Sequence, residues 1–263
     1  MIDSHCHLDA AEFHADRSDV IERAFFSGIR DIVVPAVDES SWARIMALAT
    51  APAAGLSIHA ALGIHPVAIP ACDEADDDAM MERLEALVST THPVAIGECG
   101  LDTTIDLVKA PLERQERLLR AQLEIARKQA LPVIFHARGP TTYDRLARLL
   151  DETGLPQGGV IHSYGGGAEM LKRFLDHAVM FGFAGPVTYP NARKVRASLV
   201  AVPDDRLLAE TDAPDQTPAP IRPARCEPAH LTRNIDAMAA ARGVSSAQLA
   251  ALTTDNARRL FGL

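Results

Sequence analysis

Ile2-Asp3-Ser4-His5-Cys6-His7-Leu8 opens the chain with a short strand-like run that carries two histidines near its end. Successive side chains of an extended strand point to opposite faces, so His5 and His7 share one face while Cys6 lies on the other. Two imidazoles on one face at the carboxyl end of a strand are well placed to enter a metal site. The stretch therefore predicts both a first β-strand and the chemistry at its end.

Seven further strand-like apolar runs follow this first one. The eight predicted strands are Ile2–Leu8, Ile32–Val37, Leu56–Ile64, Val94–Leu101, Val133–Ala137, Gly159–Ser163, Val179–Gly185 and Leu207–Asp212. Four of the later strands carry a potential metal ligand at or just beyond their carboxyl ends, namely Glu98, His136, His162 and Asp212. Ten histidines placed at random would seldom produce this shared position.

Helical periodicity separates the strands, most clearly between Pro111 and Ala130, and two more helices are expected from Glu227 and from Ser245. Parallel strands need helical crossovers, so the alternation predicts an α/β fold with a parallel sheet. We expect a (β/α)8 barrel, with an open doubly wound sheet as the alternative. The barrel is favoured because its first and last strands are neighbours, which lets His5 and Asp212 meet. No linker is apparent, so residues 1–263 are expected to form a single domain.

Composition and charge limit the class of protein. The 263 residues are 48% hydrophobic and 23% charged, and no apolar run approaches the length that crosses a bilayer. With no export signal before the first strand, we expect a cytoplasmic protein with no membrane or obligate protein partner. The net charge of −9 argues against a broad nucleic-acid-binding surface. It does not exclude a nuclease, because bound cations supply positive charge where a phosphate approaches.

The cysteines are expected to be reduced and structural. Cys6, Cys72, Cys99 and Cys226 show no C-x-x-C spacing, and they are too few for a disulfide framework in a chain of this length. Strand alternation points Cys6 and Cys99 towards the surrounding helices. Neither is counted as a metal ligand.

The polar strand ends together predict a metal site, since active sites of such barrels gather at the carboxyl ends of the strands. Six side chains are the candidate ligands: His5, His7, Glu98, His136, His162 and Asp212. Six ligands are too many for one tetrahedral zinc ion with an open position, so two divalent ions that share a bridging group are favoured. The ions would be zinc, manganese or magnesium. Glu98 lies in the middle of the set and is the candidate bridge.

Six motifs resemble those of the TatD-like metal-dependent hydrolases, also described as TatD deoxyribonucleases. They are Asp3-Ser4-His5-Cys6-His7-Leu8-Asp9, Gly63-Ile64-His65-Pro66, Ile96-Gly97-Glu98-Cys99-Gly100-Leu101-Asp102, Pro132-Val133-Ile134-Phe135-His136-Ala137-Arg138, His162-Ser163-Tyr164 and Glu210-Thr211-Asp212-Ala213-Pro214. As an ordered set they are specific, and the resemblance covers essentially the whole chain. It implies the metallo-dependent hydrolase (amidohydrolase-like) variant of the barrel and metal-dependent cleavage of DNA phosphodiesters.

The resemblance also implies how the ligands are shared. One ion would take His5, His7, Glu98 and Asp212, and the other would take Glu98, His136 and His162. Two ions can orient a phosphodiester and lower the pKa of a water, so Asp212 is expected to steer or deprotonate that water. Glu98 and Asp212 are therefore the predicted catalytic residues. The expected substrate is DNA, as single strands or strand ends.

Other residues are assigned to the substrate side or to the scaffold. His65 is placed on the substrate side, with a hydrogen bond that fixes its own loop as an equal alternative. Arg138 would hold phosphate, with a salt bridge at the barrel rim as the alternative. Ser163 is expected to face away from His162 and to be structural. Four polar residues that follow the seventh strand are expected either to line the mouth of the site or to lie in a solvated loop: Asn191, Arg193, Lys194 and Arg196.

The sequence departs from the better-known nuclease members around the expected rim. Thr103 stands where those members usually have an aromatic residue, Asp215-Gln216 replaces an apolar or aromatic pair, and Cys226 replaces an asparagine. These departures resemble a less characterised subgroup. An ester or amide hydrolase that acts on aminoacylated RNA or a small metabolite is therefore kept as the alternative function. A metal-stabilised scaffold is the weakest hypothesis, because a structural site does not need two ions with open positions.

Overall fold

The computed structural model describes residues 1–51 and 55–263, in which eight parallel strands form one sheet in chain order. The strands are β1 Ile2–Asp3, β2 Asp31–Pro35, β3 Ser57–Leu62, β4 Ala95–Asp102, β5 Val133–Arg138, β6 Gly159–Ile161, β7 Val179–Phe183 and β8 Leu207–Ala209. The helices are α1 Arg17–Phe26, α2 Glu39–Thr50, α3 Asp77–Thr91, α4 Leu112–Gln129, α5 Thr142–Thr153, α6 Lys172–Leu175, α7 Arg193–Ala201, α8 Leu231–Arg242 and α9 Ser246–Phe261. Within these two described ranges, no helix has both the length and the hydrophobicity needed to cross a membrane.

Hydrogen bonds between the segments that follow β1 and β8 bring the two ends of the sheet together. Asp212 N–H donates to the His5 carbonyl at 2.9 Å, and His7 N–H donates to the Ala213 carbonyl at 2.8 Å. The first and last strands are thus neighbours, as a barrel requires and an open doubly wound sheet does not. The predicted (β/α)8 fold is confirmed.

Six of the eight strands end earlier than the sequence predicts. β2, β3, β6 and β7 each end two residues earlier, β6 at Ile161, whereas β1 ends at Asp3 and β8 at Ala209, five and three residues earlier. Ser163 and Asp212 have φ values of 44° and 54°, which an extended strand cannot contain. The candidate ligands near these positions therefore lie in the segments just beyond the strands, at the same end of the barrel.

Side chains on the two faces of the sheet form two apolar layers. The barrel interior is filled by one inward residue from each strand: Ile2, Val33, Ala61, Ala95, Ile134, Val160, Met180 and Leu208. Leu260 and Phe261 of α9 pack against this inner layer near the beginnings of the strands. The outward residues form the larger layer against the helices, and Cys6 and Cys99 belong to it as expected.

Buried glutamines on α4 hold the ends of two strands that lead to the site. Gln122 accepts a hydrogen bond from Ile64 N–H at 2.8 Å, and Gln115 accepts one from Asp102 N–H at 2.8 Å. Both side chains are buried on the face of α4 that carries the leucines. A polar residue on an apolar helical face thus provides hydrogen bonds for backbone groups near the carboxyl end of a strand, where the neighbouring strand no longer pairs with them.

Arg114, also on α4, forms a buried ion pair with Asp77 of α3. Its guanidinium donates to both Asp77 carboxylate oxygens, at 2.7 and 2.9 Å, and to the backbone carbonyls of Ile69, Cys72 and Lys109. These carbonyls lie in the loops that follow β3 and precede α4. One cation therefore fixes two loops beside the site.

Replacing Arg114 by methionine should lower the free energy of unfolding by about 3–5 kcal/mol, because Asp77 stays buried after losing its main partner. Urea denaturation followed by circular dichroism measures the change. Arg83→Met is the matched control, since Arg83 pairs with Glu39 and Asp76 on the surface. Equal losses of unfolding free energy in the two variants would show that burial does not determine how much the Arg114–Asp77 pair contributes to stability.

Candidate metal centre

Glu98 reaches the barrel interior from a bulge in β4. The register of β4 against β5 shifts between Ile96 and Cys99, so both of these residues pack in the outer layer and Glu98 between them points inward. Strict alternation would have put Glu98 on the face of Ile96. Gly97 has a φ of 145°, and a Cβ there would lie 2.8 Å from the Ile134 carbonyl oxygen. Only glycine fits this position.

Both carboxylate oxygens of Glu98 face histidines. Oε2 lies 3.1 Å from His5 Nε2 and 3.5 Å from His7 Nε2. Oε1 lies 2.6 Å from His162 Nε2 and 2.9 Å from His136 Nδ1. The two oxygens of one fully buried side chain thus face two groups of imidazoles.

Asp212 completes the first of these groups. Its Oδ1 lies 3.5 Å from His5 Nε2 and 3.6 Å from His7 Nε2. All six side chains singled out in the sequence therefore meet at one end of the barrel, although they come from five strand ends spread over the chain. Their individual roles as ligands stay a prediction.

The protonation states of Glu98 and His5 suit metal binding, whereas Glu98 and Asp212 outweigh burial and raise the pKa of His162 to about 10, so His162 must lose a proton when a cation binds. Burial alone would raise the pKa of Glu98, but His162, His65 and His5 outweigh it and hold that pKa well below its usual range. Burial, together with His162, lowers the pKa of His5 well below its usual value. An ionised carboxylate and a neutral imidazole are the forms that bind metals.

The donor set fits a divalent cation. Within residues 1–51 and 55–263, Glu98 Oε2 is buried and receives no hydrogen bond, and a buried acceptor without a partner is costly. A cation between this oxygen and the nearby imidazole nitrogens would satisfy it. Nitrogen and oxygen donors of this kind suit zinc, manganese and magnesium to different degrees.

His65 is a hydrogen-bond donor into the centre. Val67 N–H donates to His65 Nδ1 at 2.8 Å, so the proton of the neutral ring is on Nε2. That nitrogen lies 3.2 Å from Glu98 Oε1. The hydrogen bond that fixes the loop of His65 is therefore present and its other nitrogen faces Glu98, while its place on the substrate side stays a prediction.

Asp102, which has no predicted role from the sequence, contacts the far side of His136. Asp102 Oδ2 lies 3.1 Å from His136 Nε2, while Oδ1 accepts hydrogen bonds from Thr104 N–H and Oγ1 at 2.6 Å each. Burial would raise the pKa of Asp102, but these hydrogen bonds lower it to about 2. A carboxylate behind a ligating histidine fixes its ring and tautomer. The signal was present, because Asp102 ends the same strand as Glu98.

A cavity of about 940 Å³ lies over the centre. Its charged rim includes Arg138 and Lys194 as well as Glu12 and Asp215. Arg138 is exposed, and within the described ranges no hydrogen bond or ion pair engages its guanidinium. The proposed rim salt bridge is therefore not seen in that part of the chain.

The remaining expectations around the rim divide into three outcomes. Arg196 donates to the backbone carbonyls of Val187 and Tyr189 and is structural, whereas Lys194 lines the cavity. Ser163 also lines the cavity, so the prediction that it faces away was wrong: β6 ends before it, and strand alternation does not apply. Cys226 is buried in the outer layer and does not belong to the rim.

Residues 2–262 match the protein family described as TatD related DNase. The chain belongs to this family. It is 35% identical to the uncharacterized metal-dependent hydrolase YabD of Bacillus subtilis, over 99% of this chain and 98% of that protein. It is 33% identical to the 3'-5' ssDNA/RNA exonuclease TatD of Salmonella typhimurium, over 99% and 98% of the two chains.

A solved structure agrees with this assignment. The crystal structure of the TatD homologue YjjV from Escherichia coli K12 superposes with a TM-score of 0.91 at 34% sequence identity, over 100% of this chain and 98% of that one. The protein is thus a metal-dependent hydrolase of the TatD family, and its histidine and carboxylate clusters are able to bind metal.

Glu98→Ala should abolish activity and lower the metal content, because Glu98 is the only carboxylate among residues 1–51 and 55–263 that faces both groups of histidines. Elemental analysis of the purified variant measures the bound metal. His136→Ala is the control and should lose less of both. Two tightly bound ions in Glu98→Ala would contradict the bridging role of Glu98.

Proposed function

We propose that the protein is a deoxyribonuclease that uses two divalent ions to hydrolyse DNA phosphodiester bonds. The observation that carries the proposal is the position of Glu98, whose Oε2 faces His5 and His7 while its Oε1 faces His136 and His162. One bridging carboxylate with nitrogen donors on both sides is suited to a pair of ions. The TatD relative from Salmonella, named a 3'-5' ssDNA/RNA exonuclease, supports a nucleic-acid substrate.

Each ion would have a distinct set of ligands. His5, His7 and Asp212 would hold the first ion, and His136 and His162 would hold the second, with Glu98 shared between them. Ions in such a site orient a phosphodiester, activate water and stabilise the negative charge that develops on the attacked phosphate. Asp102 would keep His136 in the orientation that presents Nδ1 to the centre.

The chain's own groups would guide the proton and the phosphate. Asp212 lies beside His5 and His7 at the cavity floor, where its carboxylate would accept the proton of the attacking water. His65 Nε2–H, which faces Glu98 Oε1, would donate to a phosphate oxygen once cations neutralise that carboxylate. Arg138, whose guanidinium is exposed at the rim, would hold the phosphate of a neighbouring nucleotide.

The charge of the rim favours a single strand or a strand end over a duplex. Arg138 and Lys194 are balanced by Glu12 and Asp215 around the cavity, so little basic surface is available for a rigid double helix. A flexible strand enters a concave site more readily, and its phosphate would be attracted by the bound cations themselves.

The acidic side of the rim also supports a second candidate function. Asp215, with Gln216 beside it, lines the cavity that an incoming polyanion would enter. Two ions polarise a carboxylic ester or an amide as well as a phosphodiester. A metal-dependent ester or amide hydrolase, acting on aminoacylated RNA or a small metabolite, is therefore the alternative.

Asp212→Asn should keep the fold and much of the metal while it slows hydrolysis on the order of 10²–10⁴-fold, because an amide cannot accept the proton. Single-turnover rates at saturating metal measure the effect. Rates within a few-fold of the parent would move the base to another group.

Metal-reconstituted protein should cleave single-stranded DNA in preference to duplex DNA, and the log of its affinity should fall only shallowly with the log of salt concentration, because few basic side chains contact the backbone. End-labelled single strands, duplexes and a simple carboxylic ester are compared with and without chelator. The nuclease proposal gives way to the alternative if every form of DNA stays intact while the ester is hydrolysed efficiently.

A further inference from the structure

A chain of hydrogen bonds connects Asp212 to the barrel interior through two side chains outside the predicted ligand set. Gln216 Nε2–H donates to Asp212 Oδ2, and the Ser163 hydroxyl donates to Gln216 Oε1 at 2.7 Å. Ser163 N–H donates in turn to Oε1 of Glu210, which is fully buried. The chain thus begins at a fixed interior group and ends at a carboxylate of the metal centre.

The chemistry of the partners sets the direction of this chain. An ionised carboxylate only accepts hydrogen bonds, so Gln216 must turn its amide nitrogen towards Asp212. Its amide oxygen then faces Ser163, which must donate its hydroxyl proton. Each link therefore depends on the one before it, and the Gln216 side chain has one orientation that satisfies both neighbours.

The backbone also holds Gln216 in place. Ser163, Asp212 and Gln216 all have positive φ values, of 44°, 54° and 52°. Residues other than glycine adopt this region at a cost, so surrounding contacts must maintain it. One such contact is at Gly185, where a Cβ would lie 1.6 Å from the Gln216 carbonyl oxygen. Glycine alone permits this approach.

We propose that Gln216 is a positioning residue of the metal centre, which holds Asp212 Oδ2 so that Oδ1 faces the space shared with His5 Nε2 and His7 Nε2. Oδ1 lies 3.5 and 3.6 Å from these two nitrogens. A carboxylate that is already oriented loses less freedom when an ion binds, so the ion binds more tightly. The inference rests on the proposed function only in taking Asp212 as a metal ligand.

The residue type is what distinguishes this chain. The resemblance implies an apolar or aromatic pair after Asp-Ala-Pro in the better-known nuclease members, without an amide side chain. Asp215-Gln216 stands there instead, and the side chain of Gln216 lines the cavity. Gln216 thus combines two properties: its side chain lines the cavity over the metal centre, and it restrains the carboxylate of Asp212.

The test is the binding of Mn²⁺ to full-length, metal-free protein, measured by isothermal titration calorimetry. Gln216→Met keeps the side-chain length and should weaken Mn²⁺ binding about 10-fold. Ser163→Ala removes one hydroxyl and should weaken it about 3-fold, since it acts only through Gln216. The double variant should bind as Gln216→Met does, because one chain of contacts cannot be broken twice.

Thr217→Val is the matched control, because it removes a hydroxyl from the same loop whose partner is the Ala224 carbonyl rather than Asp212. It should bind Mn²⁺ as the parent does. Thermal unfolding of the metal-free variants separates positioning from support of the fold: the melting temperature should stay within a few degrees of the parent. If Gln216→Met does not fold, Ser163→Ala against Thr217→Val provides the same comparison.

Three results would overturn the inference. They are Mn²⁺ affinity within 2-fold of the parent in Gln216→Met, independent losses of affinity that add in the double variant, and a loss of metal-free stability that accounts for the weaker binding.

Mn²⁺ binding to Asp212→Ala shows whether the positioning role of Gln216 or the ligand role of Asp212 has failed. If it weakens Mn²⁺ binding while Gln216→Met does not, only the positioning role is wrong. If it too leaves binding intact, Asp212 is not a ligand and both assignments fall. DNA cleavage does not enter any of these measurements.

Discussion

The buried carboxylate of Glu98 is the constraint around which the site is built. It is fully enclosed, it is held ionised by the imidazoles around it, and both of its oxygens are within about 3.5 Å of a histidine nitrogen. An isolated ionised carboxylate in such surroundings would be very costly, so its neighbours must come close on every side. Those neighbours come from the ends of β1, β3, β5 and β6, and only a closed barrel brings these ends together at one point.

Buried polar groups, and not apolar packing alone, hold the strand ends that surround Glu98. Gln115, Gln122 and Arg114 all extend from α4 to backbone groups near the ends of β3 and β4. Asn256 of α9 donates to the Leu207 carbonyl at 2.9 Å and so holds the beginning of β8. Gln115 and Gln122 supply the hydrogen bonds that the ladder lacks near the carboxyl ends of β4 and β3. The helices therefore hold the strand ends, and with them the side chains of the centre, in a fixed geometry.

The sequence was sufficient for the fold and for the set of residues that meet, because both follow from periodicity and from polar residues at strand ends. It was insufficient where the chain leaves regular structure. The inward turn of Glu98 depends on a bulge, and the positions of Ser163 and Gln216 depend on positive φ values at residues that are not glycine. Strand alternation carries no information on either. The place of Asp102 at the end of the Glu98 strand marks it as a residue near the site, but its contact with His136 Nε2 depends on the orientation of that ring.

The packing of α9 under the barrel has a further consequence. Leu260 and Phe261 close the inner layer at the end opposite the metal centre, and residues from all eight strands fill the space between. No path leads through the molecule along the barrel axis in this described core. A polymer therefore cannot be threaded through the protein. Whatever reaches the centre enters and leaves by the same opening, so any part of a longer molecule that reaches it must bend into the cavity and withdraw along the way it came.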